Sequence, residues 1–195
     1  YTAAMAILHQ EEVPEYTSMV ALLDKEETGS HGPTGAQSSW LKFVLSAIIP
    51  DQSRSGFYGA LSRIKMISAD VGSGVNPNFK SVQDAKNAAV IGKGVLVEKY
   101  GGYRGKYNTN DATAEFVAYI RKVFEDAEVP YQIAKPGKVD KGGGGTIAKF
   151  FAEKFNCDVI DSGTPLLNMH SPYELSSIVD LYSTYLAYSA FLNAN

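Results

Sequence analysis

The sequence predicts an α/β protein with a mostly parallel, mixed sheet sandwiched by helices. Short apolar runs typical of buried strands alternate along the chain with longer segments of helical periodicity. Such alternation favours a largely parallel sheet covered on both faces. A chain of 195 residues is long enough for one sizeable core, and we see no internal repeat or second domain. We therefore predict a single domain over 1–195.

Five short apolar segments predict the strands. The first, 19–24, is apolar on both faces and ends abruptly in acids, and the segment IKMISAD at 64–70 also ends in an acid. Loops rich in glycine, proline or polar residues separate the strands from the helices. The predicted strands are 19–24, 64–70, 94–100, 131–134 and 158–160, and the main loops are 28–35, 71–80, 101–109, 135–145 and 164–171.

Six segments with apolar residues at helical spacing predict the helices. Pro14 ends the first helix, and Asn110 or Asp111 is expected to cap the fourth. The predicted helices are 1–12, 36–49, 55–63, 110–127, 146–155 and 172–191. No capping residue precedes Tyr1, so we expect a piece of a longer chain whose sheet is incomplete on the N-terminal side.

Composition excludes several functional classes. The net charge is −3, which gives no electrostatic reason to expect binding to nucleic acid or to an anionic membrane. Cys157 is the single cysteine, so the chain has no intrachain disulfide and no cysteine-built zinc site. We see neither a signal peptide nor an apolar run of the roughly 20 residues that a membrane span needs. We therefore expect a cytoplasmic protein.

Polar side chains follow three of the predicted strands. Glu26 and Glu27 come after the first strand, Asp70 ends the second, and Asp161 ends the last and leads to His170. The carboxyl ends of parallel strands share an edge of the sheet, where ligands bind in α/β proteins. Carboxylates and imidazole there would suit zinc or manganese. Taken singly, each group could also be a polar cap, a turn residue or a hydrogen-bonded loop histidine.

The glycine run 142–145 directly precedes a predicted helix. Its backbone N–H groups could hold an anion such as a peptide carboxylate, which makes Gly144, Gly145 and Thr146 candidate substrate-binding residues. A flexible turn is the alternative. The run is not a phosphate-binding loop, because no Gly-Lys-Ser/Thr follows it. The sequence also lacks a Gly-x-Ser-x-Gly elbow, and we expect Cys157 to be a core residue and His9 and His31 to be structural.

Four motifs resemble one known family. They are DKEETGS at 24–30, MISADVGSGVNPNF at 66–79, GKVDKGGGGTIAKF at 137–150 and DSGTPLLNMHSPYEL at 161–175. In this order they are similar to the aspartyl aminopeptidase and vacuolar aminopeptidase I family of dinuclear zinc exopeptidases. The resemblance covers nearly all 195 residues. It implies a zinc exopeptidase-like fold and a metallo-aminopeptidase that removes N-terminal residues from peptides, with this sequence as the C-terminal part of its catalytic domain.

The resemblance also implies a role for each matching residue. Glu26 takes the position of the general base, and Glu27 that of a zinc ligand. Asp70 would bind the other zinc, and His170 would share a zinc with Glu27. The family has two further ligands upstream, a histidine and a bridging aspartate, and an inserted dimerisation domain. We expect all three to lie outside this sequence, which by itself would then be inactive.

Three positions bear on the substrate. Ser73 and Asn76 stand where eukaryotic aspartyl aminopeptidases carry histidines, and Glu98 stands where members that prefer acidic residues place a lysine. A carboxylate at Glu98 would repel acidic side chains. The resemblance therefore implies a preference for neutral or basic N-terminal residues, with Glu98 as a substrate-binding residue.

The remaining expectations also follow from the resemblance. A complete site would hold two Zn²⁺ ions, with Mn²⁺ or Co²⁺ as alternatives, and the full-length protein would be a homo-oligomer between a dimer and a dodecamer. Its partners would be peptide substrates, with neither nucleic acid nor membrane. Two other functions stay open: a non-catalytic homologue or interaction module that keeps the fold, and a deacylase or carboxypeptidase on a related fold.

Overall fold

The structure is a computed structural model that describes residues 1–104, 106–135, 137–138, 140–141 and 143–194. These residues contain six α-helices and seven strands. The helices are α1 (Thr2–Leu8), α2 (Trp40–Ile48), α3 (Arg54–Ser62), α4 (Ala114–Asp126), α5 (Ala148–Phe155) and α6 (Ile178–Leu192). The strands are β1 (Lys65–Ser68), β2 (Gly72–Ser73), β3 (Val95–Glu98), β4 (Tyr131–Ile133), β5 (Asp158–Gly163), β6 (Pro165–Leu167) and β7 (Leu175–Ser176).

The main sheet has four strands in the order β1-β5-β3-β4. The pairs β1–β5 and β3–β4 are parallel, whereas β3 and β5 are antiparallel. Ser68 pairs with Asp161, and Asp161 pairs with Glu98, so these three residues form a row across the sheet. The prediction of a mixed, mostly parallel sheet is confirmed.

Two apolar cores cover the two faces of this sheet. Successive residues of a strand point to opposite faces, and in β5 Val159 belongs to one core while Ile160 belongs to the other. The first core includes buried residues of α2, α3 and α5, and the second includes buried residues of α4 and α6. The sandwich of helices predicted from the sequence is confirmed.

The segment 19–24 is not a strand in the structure, so this part of the prediction is wrong. Within the described residues, none of its backbone groups has a backbone partner. Ala21 and Leu23 do pack against the core that contains Val159, whereas Leu22 is exposed. The apolar run therefore marks a partly buried stretch, but a strand also needs a neighbouring strand, which the sequence pattern does not supply.

A second sheet, in the order β2-β6-β7, lies in segments predicted as loop or helix. Its strands have only two or three residues, which is too short for a visible alternation. Close packing explains why position 72 in β2 is a glycine, since a Cβ there would lie 1.8 Å from a Leu96 methyl carbon. This small sheet connects the end of β5 to α6.

Most element boundaries differ from the predicted ones. Helix α4 begins later than predicted because Thr113, and neither Asn110 nor Asp111, caps it: the Thr113 hydroxyl accepts a hydrogen bond from the Phe116 N–H at 3.2 Å. Ser177 likewise caps α6 through the Val179 N–H, so this helix begins six residues after the predicted start at Pro172. Across the described ranges, no helix is both long and apolar enough to cross a membrane.

Candidate metal centre

A tight turn carries the adjacent acids Glu26 and Glu27. Glu26–Thr28 forms a single 3-10 turn, and Lys25 before it has a left-handed backbone with φ of 70°. Asp24 holds this turn, because its carboxylate accepts hydrogen bonds from the Lys25 N–H at 2.8 Å and from the Thr34 hydroxyl at 3.1 Å. The turn leaves Glu26 half-buried and Glu27 exposed.

A second loop brings His170 to this turn. The backbone of His170 is also left-handed, with φ of 64°, and its N–H donates to a Glu174 carboxylate oxygen at 2.6 Å. The His170 Nδ1 atom lies 3.6 Å from Glu27 Oε2, and both side chains are largely exposed. Residues far apart in sequence therefore meet at the surface, as expected for two ligands of one ion.

Asp70 follows β1 and completes the group of predicted ligands. Burial raises the pKa of its carboxyl group, although one oxygen accepts a hydrogen bond from the Val71 N–H at 2.7 Å. The negative charge of Glu27 also raises this pKa, and His170 lowers it. The charges of both residues thus act on the pKa of Asp70, although Asp70 has no salt bridge to His170 within the described part of the chain.

Glu26 lies within the same electrostatic field. Burial raises the pKa of Glu26, and the charges of Asp70 and Glu27 raise it further. His170 and Lys149 act in the opposite direction. Among the four residues predicted from the sequence, the structure thus brings Glu27 and His170 into contact, and the pKa of Glu26 is raised from its usual value, as suits a proton acceptor.

These residues fit zinc in kind but not in number. Carboxylate oxygen and imidazole nitrogen are common zinc ligands, and catalytic zinc usually has three protein ligands. Among the described residues, no group of three or more histidine, cysteine, aspartate or glutamate side chains could hold a metal ion. The chain therefore offers the pair Glu27 and His170 on one side and Asp70 on the other.

Glu98 and Asp161 form a second, buried acidic pair within the main sheet. They are 6% and 4% exposed and pair directly across β3 and β5. Burial raises the pKa of Glu98 well above its usual range, with Asp161 and Asp70 adding to the effect, and raises the pKa of Asp161 to about 6. A carboxylate that contacts substrate should be accessible, but the structure encloses Glu98, and within the described residues its Oε1 atom has no hydrogen-bond partner.

The glycine run packs against another loop. Within it, Gly142 lies outside the described residues, and the Gly144 carbonyl accepts a hydrogen bond from the Gly102 N–H at 2.6 Å. A Cβ at Gly145 would lie 2.6 Å from the Asn108 carbonyl oxygen, whereas Gly144 has open space around it. Close packing therefore explains why residue 145 is a glycine, and Gly144 remains the candidate for contact with a ligand.

The Thr146 hydroxyl is already engaged inside the protein. It donates to Asp161 Oδ1 at 2.5 Å and accepts a hydrogen bond from the Ala148 N–H at 3.1 Å, next to the start of α5. Thr146 therefore joins the glycine run to the buried acidic pair. This structural role was not foreseen, and a direct contact of Thr146 with substrate stays a prediction.

Further supporting residues were missed because they act through side-chain pairs that are distant in sequence. The Asn76 side-chain amide donates to Asn168 Oδ1 at 2.7 Å, close to His170. Gln83 accepts a hydrogen bond from the Asn76 N–H at 2.6 Å and donates one to the Ser73 hydroxyl at 3.2 Å. Ser73 and Asn76 thus help to support the His170 loop. No periodicity in the sequence indicates such pairs.

A family model described as aminopeptidase I zinc metalloprotease (M18) matches residues 1–192. The chain belongs to this family. The resemblance found in the four motifs is thereby confirmed, as is the zinc exopeptidase-like fold.

The relatives show how much of such a protein this chain represents. A probable M18 family aminopeptidase 1 of Thermotoga maritima is 48% identical over 196 residues, which cover 98% of this chain and 43% of the relative. A probable M18 family aminopeptidase 1 of Borreliella burgdorferi is 43% identical, and the match again covers 98% of this chain and 43% of the relative. The chain thus spans less than half the length of these curated relatives.

Solved structures give the same result. The crystal structure of an M18 family aminopeptidase from Thermotoga maritima matches with a TM-score of 0.91 and 48% identity, covering 99% of this chain and 43% of that one. Aminopeptidase I from Clostridium acetobutylicum matches with a TM-score of 0.88 and 41% identity, over 100% of this chain and 42% of that one. This M18 chain therefore has the α/β fold of these aminopeptidases.

Proposed function

We propose that this M18 chain carries the larger part of the active site of a zinc-dependent aminopeptidase that removes N-terminal residues from peptides. The meeting of Glu27 and His170 beside Glu26 and Asp70 is the observation that carries the proposal. Membership in a family of zinc metalloproteases supports it. The relative from Thermotoga maritima is more than twice as long as this chain, so the whole protein would be the working enzyme.

Glu27 and His170 would hold one zinc ion, and Asp70 would hold a second. A bound pair of zinc ions would polarise the scissile carbonyl and lower the pKa of a bound water. Three donors are too few for two ions, so we propose that a histidine and a bridging aspartate from outside this sequence complete the set. Mn²⁺ or Co²⁺ could replace zinc, because the same oxygen and nitrogen donors bind them.

Glu26 would act as the general base. Its carboxylate is next to the ligand Glu27, but Glu26 is half-buried whereas Glu27 is exposed, and burial raises the pKa of Glu26. A carboxylate so placed can accept the proton of the attacking water and later deliver it to the leaving amine. The two carboxylates lie in one 3-10 turn but differ in burial, which allows this division of roles.

The substrate would lie against the glycine run and the end of β3. We propose Gly144, Gly145, Thr146 and Glu98 as the residues that shape this part of the site, with neutral or basic N-terminal residues preferred over acidic ones. The burial of Glu98 makes this preference depend on how far the carboxyl group becomes accessible in the full-length protein. A substrate panel in which Asp or Glu at the N-terminus is hydrolysed fastest would contradict the preference.

We further propose a cytoplasmic homo-oligomer. The solved structure of an mApe1 dodecamer from S. cerevisiae is 21% identical to this chain, and its TM-score of 0.76 shows that the two share a fold. A similar assembly of the present protein would build on that shared fold, and sedimentation of the full-length protein would measure it.

One observation favours a second candidate, a non-catalytic homologue that keeps the fold. It is the absence of a three-donor metal group among the described residues. The two candidates differ in what the full-length protein does with metal and peptide.

The deciding experiment is a hydrolysis panel of aminoacyl chromogenic substrates on the full-length protein, with and without a chelator. The aminopeptidase proposal predicts hydrolysis that the chelator abolishes and that added zinc restores. No hydrolysis at any N-terminal residue, together with no bound zinc, would support the non-catalytic homologue. Activity that the chelator leaves unchanged would contradict the metal-dependent mechanism.

A further inference from the structure

A pair of asparagine side chains joins the His170 loop, residues 168–174, to a distant segment of the chain. The Asn76 side-chain amide donates a hydrogen bond to Asn168 Oδ1 at 2.7 Å, across 92 positions of sequence. The Asn168 carbonyl oxygen accepts a second hydrogen bond from the Ser171 N–H at 2.9 Å, which closes a turn around His170. Asn168 therefore connects the turn that carries His170 to the segment that contains Asn76.

Asn76 is itself held firmly inside the protein. It is 7% exposed, its N–H donates to Gln83 Oε1 at 2.6 Å, and its Oδ1 accepts a hydrogen bond from the Asn78 N–H at 3.0 Å. Gln83 is buried as well and donates to the Ser73 hydroxyl at 3.2 Å. A buried polar network whose groups have partners is rigid, so Asn76 offers Asn168 a donor in a fixed position.

The His170 loop, in contrast, is exposed and has an unfavourable backbone. The backbone angle φ is 59° at Asn168 and 64° at His170, and both residues are exposed. Such left-handed conformations cost free energy and persist only where their surroundings hold them. The His170 N–H donates to Glu174 Oε1, but Glu174 is exposed too. Of these two side-chain contacts, the one between Asn168 and Asn76 is therefore the one that fixes the loop to the interior.

We propose that the hydrogen bond between Asn76 and Asn168 positions His170 for zinc, which makes Asn168 a positioning residue of the metal centre. This inference rests on the proposed function, because it takes His170 as a zinc ligand. The bond holds the imidazole beside Glu27, 3.6 Å away, before the ion binds. Without it, zinc binding must also order the loop, and the free energy of that ordering lowers the affinity.

Asn168→Gly in the full-length protein tests the proposal, since glycine removes the side chain and still adopts the left-handed backbone. Groups that orient metal ligands contribute about 10–100-fold to metal affinity, and we expect the affinity for one zinc ion to fall about 10-fold. Competition with a zinc chelator measures it. Asn168→Asp should keep the wild-type affinity, because a carboxylate oxygen accepts the same hydrogen bond and aspartate tolerates the left-handed conformation.

Asn156→Gly is the matched control for the backbone. Asn156 follows α5, has a left-handed backbone with φ of 53°, and is exposed. Its replacement should leave zinc affinity unchanged. A loss in Asn156→Gly as large as that in Asn168→Gly, or an equal loss in Asn168→Asp, would overturn the proposal, because neither loss depends on the hydrogen bond to Asn76.

Asn76→Leu breaks the same hydrogen bond from the other side and leaves the His170 loop unchanged in sequence. Because both single variants remove one bond, the double variant Asn76→Leu/Asn168→Gly should bind zinc no more weakly than either of them. Losses that add, or wild-type affinity in Asn168→Gly, would contradict the proposal. Urea denaturation shows whether Asn76→Leu folds, and the comparison of Asn168→Gly with Asn168→Asp decides without it. A wild-type protein that binds no zinc would instead count against the proposed function.

Discussion

Two carboxylate-bearing regions of this chain differ in how their charges are satisfied. Asp180 on α6 is fully buried and accepts hydrogen bonds from the Gly92 and Gly94 N–H groups at 2.6 and 2.7 Å. Glu27 is 74% exposed and has the side chain of His170 as its neighbour. The Asp180 carboxylate thus has its hydrogen-bond partners within the fold, whereas the Glu27 carboxylate is accessible to a ligand.

Burial and hydrogen-bond partners therefore distinguish structural from functional carboxylates better than the presence of an acidic residue alone. The neighbours of Asp180 also have partners inside the protein: the buried Thr184 hydroxyl donates to the Asp180 carbonyl at 2.8 Å and accepts a hydrogen bond from the Thr164 hydroxyl at 2.9 Å. Around Glu27 the backbone is held in unusual conformations, with positive φ at Lys25 and at His170. Left-handed residues of this kind cost free energy and cluster at functional sites.

The largest effect should come from Glu26→Gln in the full-length protein. The amide keeps the shape of the side chain but cannot accept a proton, so turnover should fall about 10²–10⁴-fold. Zinc content should stay unchanged, because Glu26 is not a proposed ligand. Steady-state kinetics and metal analysis measure both quantities, with Glu153→Gln on the exposed side of α5 as the control. Near-normal turnover would show that another group is the base.

Asp180→Ala should affect stability rather than metal binding. Its removal leaves two N–H groups without acceptors in the interior, which costs about 3 kcal/mol in the free energy of unfolding. Urea denaturation of the full-length protein measures this change. Asp126→Ala, which removes an exposed salt bridge with Lys122, should have little effect. A stable Asp180→Ala protein that lost zinc would reverse the roles assigned to the two regions.

A smaller effect is expected for Asp24→Ala, because Asp24 only holds the turn that presents Glu26 and Glu27. Groups that orient metal ligands typically contribute about 10–100-fold, and we expect about 10-fold in zinc affinity. Competition with a zinc chelator measures that affinity. Asp51→Ala is the matched control, since Asp51 accepts a hydrogen bond from the Ser53 N–H in a turn elsewhere. Equal zinc affinities in the two variants would contradict the role of Asp24.

Sequence patterns predicted those parts of the molecule that depend on local periodicity. The strands β1, β3, β4 and β5 and all six helices were foreseen, with shifted ends. The segment 19–24 was predicted wrongly because pairing depends on a neighbouring strand rather than on the apolar run itself. The small sheet was missed because strands of two residues show no alternation.

The site was foreseen as a set of residues rather than as a geometry. Strand ends and family motifs indicated Glu26, Glu27, Asp70 and His170, of which the structure brings Glu27 and His170 into contact. The enclosure of Glu98 could not be foreseen, because it depends on the register between β3 and β5.

Zinc content of two histidine variants of the full-length protein tests the central claim most directly. His170 and His31 both lie in exposed loops, but His170 contacts Glu27 whereas His31 contacts Gln37. We predict that His170→Ala loses at least one of two zinc ions per chain and that His31→Ala keeps both. Two tightly bound zinc ions in His170→Ala would contradict the assignment of the metal centre.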